Sequence, residues 1–239
     1  MKKYTSVAAL ALRLTALPVL GLMAVVGGFQ WLLFDLEIRD TTYLRAFQYM
    51  MDDRPALMGL FGLAALVLML RSATVGTKRS QTAYTIRRLQ LSEDCSTLVF
   101  GLVFVGWFVL YWAFQIAICL ALFSRYTDMM GEIQNMLFVS AFRSQYFHNL
   151  LPLYEPWALV RNCVLCLSFG GFAALAARNT RNGKGASLLM FSLSLFACTV
   201  LYPNQLGTQV NDISLSVIVL VCLAIDIFWT RRWSSDEAN

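Results

Sequence analysis

The sequence predicts an all-α polytopic membrane protein with six transmembrane helices and both termini cytoplasmic. Three observations carry that prediction: long apolar runs recur along the chain, Lys and Arg crowd into alternate loops, and 58% of the 239 residues are hydrophobic against 14% charged. An α-helix rising ~1.5 Å per residue needs about 20 residues to cross a ~30 Å hydrocarbon core, and lipid tolerates only backbones that satisfy their own polar groups. Strands of a membrane barrel are half as long.

The predicted spans are residues 14–34, 55–70, 98–123, 157–177, 185–202 and 213–229, which together make residues 1–239 a single transmembrane domain. Arg13 interrupts the N-terminal apolar stretch, and no small-x-small cleavage site follows it. A short interfacial helix over Tyr4–Arg13 leading into a retained first span is therefore expected in place of a signal peptide. If all six segments cross, thirteen of the nineteen basic residues fall on one side: Lys2, Lys3 and Arg13, then Arg71, Lys78, Arg79, Arg87 and Arg88, then Arg178, Arg181 and Lys184, then Arg231 and Arg232. The other side mixes Arg39, Arg45, Arg54, Arg125 and Arg143 with nine carboxylates. The positive-inside rule makes the basic side cytoplasmic. The net charge of +5 then reports topology and gives no indication of nucleic-acid binding.

Between the second and third spans lies a loop longer than a helical hairpin needs, RSATVGTKRSQTAYTIRRLQLSEDCST. Tyr84, Ile86, Leu89 and Leu91 alternate there with Lys78, Arg79, Arg87 and Arg88, as in an amphipathic helix on a membrane face or against another protein. Ser92 is placed to cap the next helix, with Glu93 and Asp94 in its first turn, where carboxylates favour the helix dipole. On the opposite side, Ser124–Pro156 carries apolar residues at near-helical intervals and predicts an interfacial helical segment, acting as a gate or as an anchor. Tyr126, Tyr146, Tyr154 and Trp157 fit an aromatic belt there, and Pro156 suits the first position of the fourth span.

Charges inside spans are costly, so Arg161 and Asp226 are functional suspects. Arg161 is expected to snorkel or to pair with Glu155 or Asp128, and Asp226 to pair with Arg71 or Arg178. Gln30 and Gln115 are expected to bond between helices. Ser168, Gly170, Gly171, Ala173, Ala174 and Ala177 give the fourth span a face for close helix approach, and Gly101 and Gly106 do less of the same in the third. Cys163 and Cys166 form a CxxC, but the chain has one His and no second Cys pair, so packing is preferred to a metal site. No P-loop, HExxH or GxSxG occurs, and no catalytic, cofactor or metal residues are assigned.

Six spans with both ends inside, an N-terminal interfacial helix, and the basic amphipathic segment Thr77–Ser92 together resemble the permease subunits of type-2, exporter-type ATP-binding-cassette (ABC) transporters. The resemblance is one of topology across the whole chain. It implies that Tyr84, Ile86, Arg87, Arg88 and Leu89 centre a coupling helix that docks on a separate ATPase subunit, which holds the ATP and Mg. It implies further a second permease copy or a related permease as partner, membrane lipids around both, and a place in the cytoplasmic membrane of a bacterium. The expected cargo is amphipathic or hydrophobic. This chain departs from the family in carrying its large outer segment between spans three and four, with only Pro203–Asp212 between spans five and six. The rival reading is a non-transporting scaffold or accessory subunit that uses the same basic loop.

Overall fold

The computed structural model describes residues 2–40, 47–72, 92–130, 143–152, 155–182 and 208–236. Every regular element among these is a helix: α1 (Lys2–Asp40), α2 (Phe47–Asp52), α3 (Arg54–Ser72), α4 (Glu93–Met130), α5 (Gln145–Leu150), α6 (Pro156–Arg181) and α7 (Thr208–Asp236). Among the described residues, five helices are long and apolar enough to cross a membrane, with α2 and α3 forming one such unit from Phe47 to Ser72. The expected span 185–202 lies outside the described residues. So does the centre of the expected coupling helix, Tyr84, Ile86, Arg87, Arg88 and Leu89.

α1 corrects one expectation. Tyr4–Arg13 is no separate interfacial helix, because α1 runs unbroken for 39 residues through Pro18. The reason is a buried stripe, Val7, Ala11, Thr15, Val19, Met23, Val26, Gln30 and Phe34, at the three- and four-residue spacing that keeps one helix face inward. Val7 and Ala11 join the same core cluster as Leu66, Leu70 and Phe100, so the first turns are committed to the bundle. At ~1.5 Å per residue α1 measures roughly 58 Å, nearly twice the hydrocarbon thickness.

α4 is almost as long at 38 residues. Ser92 Oγ accepts from the Cys95 backbone N–H at 3.4 Å and begins it as the capping pattern predicts. α3 restarts after a one-residue break at Asp53, since Pro55 lacks the N–H that would continue the ladder from α2. Pro156 opens α6, where a missing N–H costs nothing.

Side-chain pairs fix the helix directions. Trp107 Nε1 donates to Thr15 Oγ1 at 2.7 Å and Gln30 Nε2 donates to Gln115 Oε1 at 2.9 Å, so α1 and α4 run parallel. Gln30 also reaches the Pro55 carbonyl at the start of α3, which makes α3 antiparallel to α1. α6 opposes α4, with Arg178 on Asp94 at one end and Phe108 against Phe169 further along. α7 runs parallel to α6: Arg161 meets Asp212 and Asn179 meets Thr230, both pairs separated by 51 residues. The last residue of α6 and the first of α7 therefore sit at opposite ends of the bundle. The start of α1 and the end of α7 share the end that also holds Arg71, Arg178 and Arg231, here called the basic end.

Small residues set the closest approaches. A Cβ on Gly170 would collide with the Val105 backbone, and one on Gly171 would crowd Leu223. Adjacent glycines thus seat α4 on one side of α6 and α7 on the other. Gly101 lies against Ala174, whereas Gly106 faces open space and contributes no contact.

Candidate functional site

Four elements converge on a buried polar network in the half of the bundle away from the basic end. Gln30 of α1 donates through Nε2 to the Pro55 carbonyl at 3.0 Å and to Gln115 Oε1 at 2.9 Å. The carbonyl fixes the Gln30 amide orientation, and that in turn fixes Gln115 with its oxygen toward Gln30. Tyr146 of α5 donates to the same Gln115 oxygen at 2.9 Å. Tyr111 of α4 donates to the Gly59 carbonyl at 2.7 Å. Among the described residues, Gln30 Oε1 and Gln115 Nε2 are left buried with no hydrogen-bond partner, an arrangement that costs free energy unless something fills the gap.

Two glycines of α3 make this network possible. A Cβ on Gly59 would overlap the Tyr146 hydroxyl, and one on Gly62 would overlap the Tyr111 hydroxyl and Val26. Burial pushes the Tyr146 phenol well above its ordinary value, so it stays a hydrogen-bond donor at any physiological pH. Tyr146 and Tyr126, both expected in an interfacial aromatic belt, are instead buried, Tyr146 on the inward-facing α5 and Tyr126 against the Phe47 ring of α2. Trp157 is exposed, and Tyr154 lies outside the described residues.

α5 is only six residues long and is held at both ends. At its start, the Asp52 carboxylate accepts from Ser144 Oγ at 2.6 Å and from the backbone N–H groups of Gln145 and Tyr146, each at 2.9 Å. Ser144 Oγ accepts in turn from Phe147 N–H, so the helix's orphan donors are captured. At its end, the Asn149 carbonyl accepts from Asn162 Nδ2 at 2.8 Å and from Arg161 Nη2 at 3.3 Å, and Trp112 Nε1 donates to the Leu150 carbonyl. α2 packs beside α5 through Phe47, Met50 and Met51, with Phe47 against the rings of Phe34, Phe123 and Tyr126.

Arg161 pairs with neither Glu155 nor Asp128. Its Nη1 donates to Asp212 Oδ1 at 2.6 Å, with both side chains almost fully buried. Asp212 at the start of α7 comes within reach because α7 lies parallel to α6. Arg178 is engaged by Asp94 and Glu93, and Arg71 Nε donates to Thr180 Oγ1. Asp226 is 1% exposed, and its backbone carbonyl accepts from Thr230 Oγ1. Arg161 therefore belongs to the network around α5, whereas Asp226 lies near the basic end.

A cavity of about 90 Å³ adjoins the network, lined by Gly59, Leu60 and Leu63 of α3, Phe108, Tyr111 and Gln115 of α4, Asn149 of α5, and Arg161, Leu165 and Phe169 of α6, among others. Its surface is overwhelmingly apolar. Cys166 lines it as a free thiol and Cys163 is exposed on the outside of α6, so the CxxC forms no disulfide; no metal-binding cluster occurs among the described residues. His148 sits on α5 with Nε2 3.8 Å from Glu155.

Comparison with family models, curated proteins and solved structures returned no match to this chain.

Sequence alone marks Gln30 and Gln115 as bonds between helices, as they are, and Arg161 as a charge within a span, but it gives no comparable mark for Tyr111, Gly59, Gly62 or Asp52. The one available signal is the pair Gly59 and Gly62, one helical turn apart on α3.

Proposed function

We propose that this chain is the permease subunit of a type-2 ABC exporter, a six-span protein of the cytoplasmic membrane with both termini in the cytoplasm. Two copies, or this chain and a related permease, pair on two separate ATPase subunits, which bind ATP and Mg. One observation carries the reading. The cavity and its polar network are walled by α3 and α4, and these are the two helices whose basic-end termini, at Ser72 and Glu93, bracket residues 73–91. A force applied there by a nucleotide-driven partner acts directly on two walls of the chamber. α5 lines its opposite end through Tyr146 and Asn149.

The six-span topology draws support from the parallel packing of α6 on α7, since residues 183–207 join opposite ends of the bundle. The positive-inside rule makes the basic end cytoplasmic. Tyr84, Ile86 and Leu89 then supply apolar anchors to an ATPase groove, and Arg87 and Arg88 steer and pair at its rim. Burying a large side chain is worth about 1.5–3 kcal/mol and an exposed ion pair only ~0–1, so the apolar residues dominate.

The test is affinity purification of the tagged chain from native membranes. An ATPase in equal stoichiometry is expected, largely lost in Ile86→Asp and Leu89→Asp and mostly retained in Arg87→Ala. Recovery of the wild-type chain with no ATPase would overturn the reading in favour of a membrane scaffold.

A further inference from the structure

We infer that the cavity beside Gln115 binds a neutral, chain-like amphiphile through a single hydrogen-bond acceptor, a hydroxyl, carbonyl or ester oxygen held by Gln115 Nε2. The inference deepens the proposed function by naming the substrate class, and it rests on that reading only for the step from binding to transport. Three observations on the same site lead to it. First, Gln115 lines the cavity and is 1% exposed, and although its side chain bears on the Tyr111 phenol, its Nε2 completes no hydrogen bond among the described residues. Its orientation cannot relax to satisfy that nitrogen, because its oxygen already serves Gln30 and Tyr146 and the Pro55 carbonyl locks Gln30. Second, the walls beyond that amide are Leu60, Leu63, Phe108, Leu165 and Phe169, which favour hydrocarbon over water. Third, the only charge among the described lining residues, Arg161, is already neutralised by Asp212.

The charge balance selects against ions. An anionic headgroup would have to compete with Asp212 for Arg161, and a cationic one would meet no spare carboxylate on the lining. Either would enter a low-dielectric site uncompensated. A neutral oxygen meets the vacant donor at no such cost. The volume also sets a depth. About 90 Å³ is smaller than the ~150 Å³ apolar cavity that accommodates benzene, and the cavity is only partly enclosed. It therefore takes the polar end and first few carbons of a longer molecule, whose remaining chain lies along the bundle surface.

Photocrosslinking tests this on the purified chain in nanodiscs, without any ATPase. Three probes share one C16 chain with a diazirine near the head: the primary alcohol, the alkane and the alkyl sulfonate. The alcohol should label the peptide containing Leu165 and Cys166 at least about tenfold more than either other probe, given the cost of burying an unpaired ion or leaving a donor unmet. Cys166→Trp, which fills the cavity, should abolish that labelling, whereas Cys163→Trp on the exposed face of α6 should leave it unchanged. If Cys166→Trp does not fold, Leu63→Trp fills the same cavity from α3 and should have the same effect. Equal labelling by alcohol and alkane would overturn the role of Gln115. Labelling that survives the filled cavity would reduce the contact to ordinary surrounding lipid and overturn the site. Because no ATPase is present, failure here leaves the permease reading standing, and failure of the purification test leaves this site standing.

Discussion

The Tyr146 hydroxyl donates to Gln115 Oε1 at 2.9 Å, so a six-residue helix from the end of the bundle reaches the polar centre of a membrane-length helix. The contact exists only because Gly59 has no side chain. On helix propensity alone, Gly→Ala in a helix interior stabilises by up to ~1 kcal/mol. Gly59→Ala is nevertheless expected to destabilise by about 1–3 kcal/mol, because its methyl would overlap the Tyr146 oxygen. Tyr146→Phe removes that oxygen and should recover part of the loss, leaving a coupling above ~0.5 kcal/mol in a double-mutant cycle. Unfolding in mixed micelles measures it; strictly additive effects would mean the two residues do not meet.

Asp52 latches α5. Asp52→Ala strips acceptors from two backbone N–H groups and from Ser144, at a cost of about 1–3 kcal/mol. Loosening α5 should uncover Cys119, which is fully buried in the cluster containing Tyr146 and Phe147. In a chain retaining Cys119 as its sole cysteine, maleimide labelling should rise severalfold on this substitution. Unchanged protection of Cys119 would place the latch elsewhere.

The Arg161–Asp212 pair is buried on both sides, so removing one partner strands a charge. Asp212→Ala should cost about 3–5 kcal/mol, while the double replacement Arg161→Met with Asp212→Leu should restore most of it. Thermal unfolding of the three variants in one detergent decides the matter. A double variant no better than the single one would mean that the hydrogen bonds from Arg161 to Asn149 and Asn162 outweigh the ion pair.

Topology has its own test. On a cysteine-free background, impermeant maleimide added outside cells should label Asp53→Cys and Asn204→Cys. Lys78→Cys and Gly183→Cys should react only after permeabilisation. The reverse pattern would invert the bundle and remove the docking role proposed for Tyr84–Leu89.

Much of the architecture was legible in the sequence, because hydropathy and charge act locally. The α4 start at Ser92, the Pro156 start of α6 and the small-residue face of α6 all follow from short-range chemistry. Helix length did not, since backbone hydrogen bonding continues past the apolar window: α1 and α4 extend well beyond 14–34 and 98–123. The partner of Arg161 was missed because Glu155 is near in sequence while Asp212 is brought close only by parallel packing of α6 and α7. Tyr146 was misread for a related reason. An aromatic in a polar loop looks interfacial until a glycine on another helix makes room for it.

That parallel packing has a consequence for biosynthesis. Arg161 and Asp212 lie 51 residues apart, so at a synthesis rate of ~5–20 residues per second Arg161 waits roughly 3–10 s for its counter-charge. During that interval the guanidinium must stay hydrated or be held by the insertion machinery. Final docking of α6 into the bundle is thereby tied to arrival of the last helix, and a chain truncated before Asp212 carries an uncompensated cation, a ready mark for membrane quality control.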